Sequence, residues 1–130
     1  MRVYVAGSSD QLERCAAAMT ALEERGYEVT HDWVTAVVIE GCANPVGAPN
    51  KDRAKWARDD LDGVLRADMV WLLMPSEGGF GAAVELGYAI AKGIPVVVSG
   101  PHERSIFTVF ANRTFDRDDQ ALAAMFPELT

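Results

Sequence analysis

Two carboxylates in this chain stand where nucleophilic or acid–base chemistry can be done. Glu85 follows a glycine-rich lead, Gly78-Gly79-Phe80-Gly81-Ala82-Ala83-Val84-Glu85-Leu86-Gly87. An apolar run from Asp68 to Met74 comes before it, and Gly93-Ile94-Pro95-Val96-Val97-Val98 comes after. That order reads as strand, glycine-rich loop, helix, strand, with Glu85 in the first turns of the helix. In an open α/β sheet, ligands bind beyond the carboxyl ends of the strands. Glycines there let a ligand approach the backbone closely, and a carboxylate so placed can attack a sugar carbon. The plainer reading of Glu85 is a helix-end charge stabilised by the macrodipole.

Asp60 is the second carboxylate. It lies on a helix expected over 51–66, between Asp59 and Asp62. Asp59 is four residues after Lys55, and Asp62 is four after Arg58 and four before Arg66. Those spacings make solvent-face ion pairs. Asp60 instead shares its row with Trp56, Gly63 and Ala67 and has no basic residue in that row. A carboxylate on a half-buried face of small and aromatic residues lacks a structural reason, which marks it as a functional candidate.

The elements that must position these groups alternate. A strand over 2–6 ends at Gly7-Ser8-Ser9, and Ser8 and Gln11 have capping-box spacing for a helix over 9–25. Its apolar stripe is Leu12, Ala16, Met19 and Leu22, and Gly26 stops it. Residues 27–31 form a strand with Asp32 and Trp33 at its end. Residues 35–49, broken by Gly41, Asn44, Pro45, Gly47 and Pro49, read as a long loop over the sheet's edge, functional lid or mobile surface. The helix over 51–66 is expected to bury Ala57, Leu61, Val64 and Leu65. The helix carrying Glu85 is expected to bury Ala83, Leu86, Gly87 and Ile90. Strands over 68–74 and 94–98 are apolar on both faces, as buried parallel strands are. A helical turn and an edge strand within 107–115 and a helix ending near Met125 complete the chain.

Strand–helix alternation makes the sheet parallel with right-handed crossovers. The fold class is α/β: a three-layer, doubly wound, flavodoxin-like or Rossmann-like five-stranded sheet of order 2-1-3-4-5. Its switch point lies between the first and third strands, so residues 7–10 and 75–85 flank one crevice. The 130 residues suit one domain with one core.

A net charge of −7 argues against a nucleic-acid polymer as partner but leaves a small nucleoside open. Cys15 and Cys42 are too few for a disulfide framework, and with His31 and His102 they make no metal-ligand spacing. No metal is expected. No apolar run reaches the roughly 18 residues of a membrane span. The expected setting is cytoplasmic.

Tyr4-Val5-Ala6-Gly7-Ser8, then Asp60-Leu61 with Ala67-Asp68, then Gly81-Ala82-Ala83-Val84-Glu85-Leu86-Gly87 together resemble the nucleoside 2-deoxyribosyltransferase superfamily. That superfamily also holds deoxynucleoside 5′-monophosphate N-glycosidases. The resemblance spans roughly residues 2–98 in order. It implies that Glu85 attacks the anomeric carbon to form a covalent glycosyl-enzyme, which a base or water then relieves of the sugar. It implies that Asp60 places the sugar or protonates the leaving base, and that Tyr4 lines the pocket beside Glu85. No cofactor is required. Two carboxylates can divide these tasks provided their pKa values are pushed apart.

The pattern also departs from the family. Members that bind a 5′-phosphate follow the first Gly-Ser with arginine, where this chain has Ser9-Asp10, which favours a nucleoside over a nucleotide. The position six before the nucleophile, an Asp or Ser in some members, is Gly79, with Ser76 nearby. Arg104-Ser105-Ile106-Phe107 resembles the stretch a neighbouring subunit contributes, so a homodimer or larger homo-oligomer is expected, anchored by Phe107 and Phe110. His31 and Trp33 are placed to meet the nucleobase, Trp33 by stacking. The substrate-binding set is therefore Tyr4, Gly7, Ser8, Ser9, Trp33, Ser76, Gly79, Gly81 and Ser105. Two other functions fit the same residues: a nucleoside- or nucleotide-sensing module without catalysis, and a glycohydrolase of a larger nucleotide such as NAD.

Overall fold

The computed structural model describes residues 1–129. Five parallel strands, β1 (Arg2–Ala6), β2 (Glu28–Val29), β3 (Met69–Leu73), β4 (Val96–Ser99) and β5 (Arg113–Phe115), form one sheet of order β2-β1-β3-β4-β5. The three-layer α/β architecture of order 2-1-3-4-5 expected from the sequence is thus the one observed. The registers align Tyr4 with Val70 and Val70 with Val96, and Val5 with Trp71 and Trp71 with Val97. Alternate residues point to opposite faces, so these rows define the two faces. On one, Trp71 stacks on Phe126 with ring centroids 5.1 Å apart, beneath α1 (Leu12–Glu24) and α5 (Asp118–Met125). On the other, Tyr4 meets α3 (Asn50–Arg66) and α4 (Phe80–Lys92). Val3 to Ala6, Val70 to Leu73 and Val96 to Ser99 are all buried, as strands covered on both faces must be.

Four local expectations need correction. Residues 35–49 are not all loop: Trp33–Glu40 is a helix, α2. Its Val and Ile residues are weak helix formers, but Asp32 caps it, accepting from Thr35 N at 3.0 Å. Gly41, at φ +71°, closes it, its N–H donating to Val37 O at 2.9 Å. Ser8 and Gln11 form no capping box. Ser8 accepts from Asp10 N at 3.2 Å, Gln11 accepts from Arg14, and a 3-10 turn over Ser9–Gln11 leads into α1. On α3 the buried face is the row of Asp60: Gly63, Val64 and Ala67 are buried, whereas Ala57 and Leu65 are exposed. On α4 the buried residues are Ala82, Glu85, Leu86 and Ala89, whereas Ala83 and Gly87 are exposed. Both helix registers were set by apolarity alone, and in both a carboxylate occupies a position that apolarity leaves out.

Among the described residues no helix is long and apolar enough to cross a membrane.

Candidate active site

The turn between β3 and α4 is shaped by two left-handed glycines, Gly78 at φ +67° and Gly79 at φ +90°. A Cβ on Gly79 would also lie 2.8 Å from Pro75 Cγ. Glycine at 79 is therefore a demand of the backbone, whatever side chain other proteins place there. This turn starts α4 so that Glu85 faces the sheet, with 6% of its surface exposed.

Glu85 meets one polar side chain, Tyr4. Tyr4 is fully buried on β1, an inner strand, and its phenol O–H donates to Glu85 Oε2. Burial raises the Glu85 carboxyl to about pH 8; the Tyr4 hydrogen bond works against that and the charge of Asp60 adds to it. Burial, then the charges of Glu85 and Asp60, push the Tyr4 phenol upward too, so it stays a donor.

Asp60 is paired as well. Its Oδ1 lies 3.3 Å from His31 Nε2. The sequence row of Asp60 holds no base; the base comes from the end of β2, a long way off in sequence. Two bonds fasten that strand end to α3. Thr30 Oγ1 donates to Gly63 O at 2.7 Å, and Arg66 Nη2 donates to Thr30 O at 2.7 Å. Gly63 makes the approach possible. A Cβ there would lie 2.8 Å from Tyr4 Cδ1 and 2.9 Å from His31 Cβ.

Glu85 and Asp60 line the same cavity, of about 610 Å³. Gly7, Ser8, Ser9 and Asp10 form one wall, and Gly78, Gly79, Phe80 and Gly81 another. These are the two segments expected to flank the switch point. Val37, Cys42, Ala43 and Pro45 bring α2 and its following loop to the mouth. Trp33 also lines the cavity, but it is buried and its indole N–H is committed to Val5 O at 2.7 Å. Ser76 does not line it, and Ser105, expected to serve a neighbouring subunit's site, does not line that of its own chain. Ser76 is exposed, and Ser105 caps the next 3-10 turn by accepting from Phe107 N. Ser105's neighbour Arg104 reaches back to Pro75 O. Other depressions, gathered around His102, contain neither carboxylate.

Sequence reasoning missed Arg53, Trp56 and Ala57 as lining residues. With Asp60 they fall at i, i+3, i+4 and i+7, one helix face, a signal that was present once Asp60 was taken to point inward. Among the described residues no group of three or more His, Cys, Asp or Glu side chains is placed to hold a metal ion.

The family model for nucleoside 2-deoxyribosyltransferase matches residues 3–125. The chain belongs to that family. No curated protein matches the sequence. Among solved structures, the 2-deoxyribosyltransferase of the psychrotolerant bacterium Bacillus psychrosaccharolyticus is similar over 99% of this chain and 100% of its own, with a TM-score of 0.68 and 20% identity. The CMP N-glycosidase of Clostridium botulinum is similar over 88% of this chain and 87% of its own, with a TM-score of 0.56 and 17% identity. At these identities the likeness is one of fold.

Membership in the nucleoside 2-deoxyribosyltransferase family makes this an enzyme of the family's kind, acting on small nucleosides or nucleotides. The crevice described above lies at the carboxyl ends of β1 and β3, the position at which doubly wound sheets take ligands.

Proposed function

We propose that the protein breaks the N-glycosidic bond of a nucleoside, with Glu85 as nucleophile, and passes the sugar to a second base or to water. The observation that carries this reading is a buried carboxylate, held by one tyrosine, on a cavity it shares with a second carboxylate. Tyr4 engages Oε2, which leaves Oε1 to meet the anomeric carbon. In the free protein the ionised form of Glu85 is disfavoured by burial. An oxocarbenium-like transition state brings positive charge against it and reverses that penalty. The interaction is then stronger in the transition state than in the ground state, which is what accelerates a reaction. Asp60, on the opposite helix, takes the sugar hydroxyls or the leaving base.

Gly79 offers the sensing alternative no support, because its lack of a side chain answers a backbone conformation. One observation favours a nucleotide as substrate: Arg53 lines the cavity and supplies the positive charge that Asp10, on another wall, denies a phosphate. Release of free base from purine and pyrimidine nucleosides, their 5′-monophosphates and NAD separates these substrates. Intact-mass analysis of the protein during turnover should show one added glycosyl group that is absent from Glu85→Gln. Turnover with no such adduct and undiminished rate in Glu85→Gln would remove Glu85 as nucleophile.

The reading includes a homo-oligomer. On α4, Phe80, Val84 and Gly87 face outward, and Ile106, Phe107, Val109 and Phe110 are exposed nearby in sequence to β5. Gly87 has an ordinary helical φ, and a Cβ built on it meets nothing within 4 Å. A glycine inside a helix costs roughly 1 kcal/mol against alanine, and nothing among the described residues packs against it; a second copy packed close to the α4 backbone would explain it. Sedimentation showing a monomer at micromolar concentration would sink this part.

A further inference from the structure

We propose that His31 is a positioning residue for the leaving-group step, holding Asp60 in place and sharing with it the proton that the departing base takes. The inference rests on the glycosidic reading above and deepens it. Three observations converge on it. His31 Nε2 lies 3.3 Å from Asp60 Oδ1, and Asp60 lines the cavity while His31 stands behind it. The imidazole is not there by chance of packing: Thr30, its neighbour in sequence, is tied to α3 from both sides, through Gly63 O and Arg66 Nη2. And Gly63 opens the space that both His31 and Tyr4 occupy, so the partner of the acid and the partner of the nucleophile pack against the same point of α3.

The chemistry needs such a partner. A carboxylate at its ordinary pKa has no proton to give at neutral pH, whereas an imidazole beside it does. The charged and titratable groups facing His31 are Asp60 and Asp59 from α3, Asp32 on its own segment, and Tyr4 from β1 through Gly63. The hydrogen bond with Asp60 does most to raise the His31 pKa; burial opposes it, and the charges of Asp60, Asp59 and Asp32 assist. The contact with Asp60 therefore favours a proton on the His31 imidazole. As Glu85 Oε1 bonds to the anomeric carbon, the C–N bond breaks and its electron pair goes to the base nitrogen. The shared proton goes to the same base, leaving neutral imidazole and ionised Asp60. In the second half, the incoming base or water loses a proton to the pair as its bond to the sugar forms and the ester to Glu85 breaks.

The test compares two leaving groups. 2′-Deoxyadenosine releases a base that needs a proton, and p-nitrophenyl 2-deoxyriboside releases a phenolate that does not. General acid catalysis contributes roughly 10²–10⁴-fold, so His31→Gln should lower kcat at least 100-fold more on the nucleoside than on the p-nitrophenyl glycoside. Equal losses on the two overturn the proposal and leave His31 a structural residue. The second measurement needs no active variant: the imidazole titration of His31, followed by NMR in the wild-type protein and in Asp60→Asn, should move to lower pH in the variant. An unmoved midpoint overturns the proposal while the glycosidic reading stands. No release from either compound by the wild-type protein removes that reading and this proposal with it.

Discussion

Glu85 and Asp118 are both carboxylates at the carboxyl edge of the sheet, and they are treated in opposite ways. Asp118, at the start of α5, faces Arg14, whose Nε and Nη2 donate to it at 2.7 and 2.8 Å, and Ser99, whose hydroxyl donates at 2.6 Å. Burial works against its charge, but the hydrogen bonds from Arg14 and Ser99 and the charge of Arg14 outweigh it, and its pKa is lowered. Glu85 has one donor, a neutral phenol, no cation, and more burial, and its pKa rises to about 8. A carboxylate that fastens α1, β4 and α5 together is given its full set of partners. The carboxylate proposed as nucleophile is left short of them, and in that proposal the missing partner is the charge that forms on the substrate.

The largest expected effect breaks that comparison at its functional end. Glu85→Gln should lower base release by several orders of magnitude, because the covalent route is lost. The same variant should melt at a temperature equal to or above that of the wild type, because an isosteric neutral group replaces one that resists ionisation. A variant that is both active and unfolded at lower temperature would erase the contrast. At the other end, Asp118→Asn should destabilise the fold by about 2 kcal/mol, a buried-pair loss discounted for partial exposure. Activity per folded molecule should change little. Chemical denaturation and a rate normalised to folded protein read the two effects separately.

The two carboxylates also predict opposite dependence on pH. Glu85 has a folded pKa above its unfolded one, so its contribution to stability is fully present below the ordinary value of 4.5 and is lost as pH rises through about 8. Asp118 has a lowered pKa, so its contribution is present above the ordinary value of 3.8 and is lost as pH falls through the folded value. Melting temperatures measured across pH should therefore flatten between about pH 4.5 and 8 in Glu85→Gln and below pH 3.8 in Asp118→Asn. Exchange of those two outcomes would mean the partners were misassigned. The smallest effect sharpens the role of Tyr4. Its hydrogen bond holds the Glu85 pKa down, so Tyr4→Phe should raise that pKa and slow base release at pH 7 by about tenfold, the factor carried by one pKa unit. The pH–rate profile of the variant gives the direction of the shift.

The sheet was legible because its inner strands are apolar on both faces. The place of Glu85 on the crevice was legible because a glycine-rich turn after such a strand starts the next helix at the sheet's carboxyl edge. What the sequence hid has two physical causes. On α3 and α4 Val64 and Leu86 are buried as their apolarity implies, yet each helix also turns a carboxylate inward, so Gly63 and Ala67 or Ala82 and Ala89 are buried in place of Ala57 and Leu65 or Ala83 and Gly87. Trp33 to Glu40 carries β-branched residues that favour a strand, and the caps at its two ends, Asp32 and Gly41, work against that preference. The His31–Asp60 contact joins two elements distant in sequence and leaves no periodic trace in either. Ser76 matches the family by position alone, and the loop geometry carries it away from the cavity wall.

Gly63 decides how a mutational survey of this protein will look. It does not line the cavity of Glu85 and Asp60, yet any side chain on it must displace the ring of Tyr4, the β-carbon of His31, or both. A substitution there would disturb the settings of two carboxylates on two helices in one stroke. Ranked by lost activity, this residue would stand beside Glu85 and Asp60, and a survey scored on activity alone would enrol a spacer among the reactive groups.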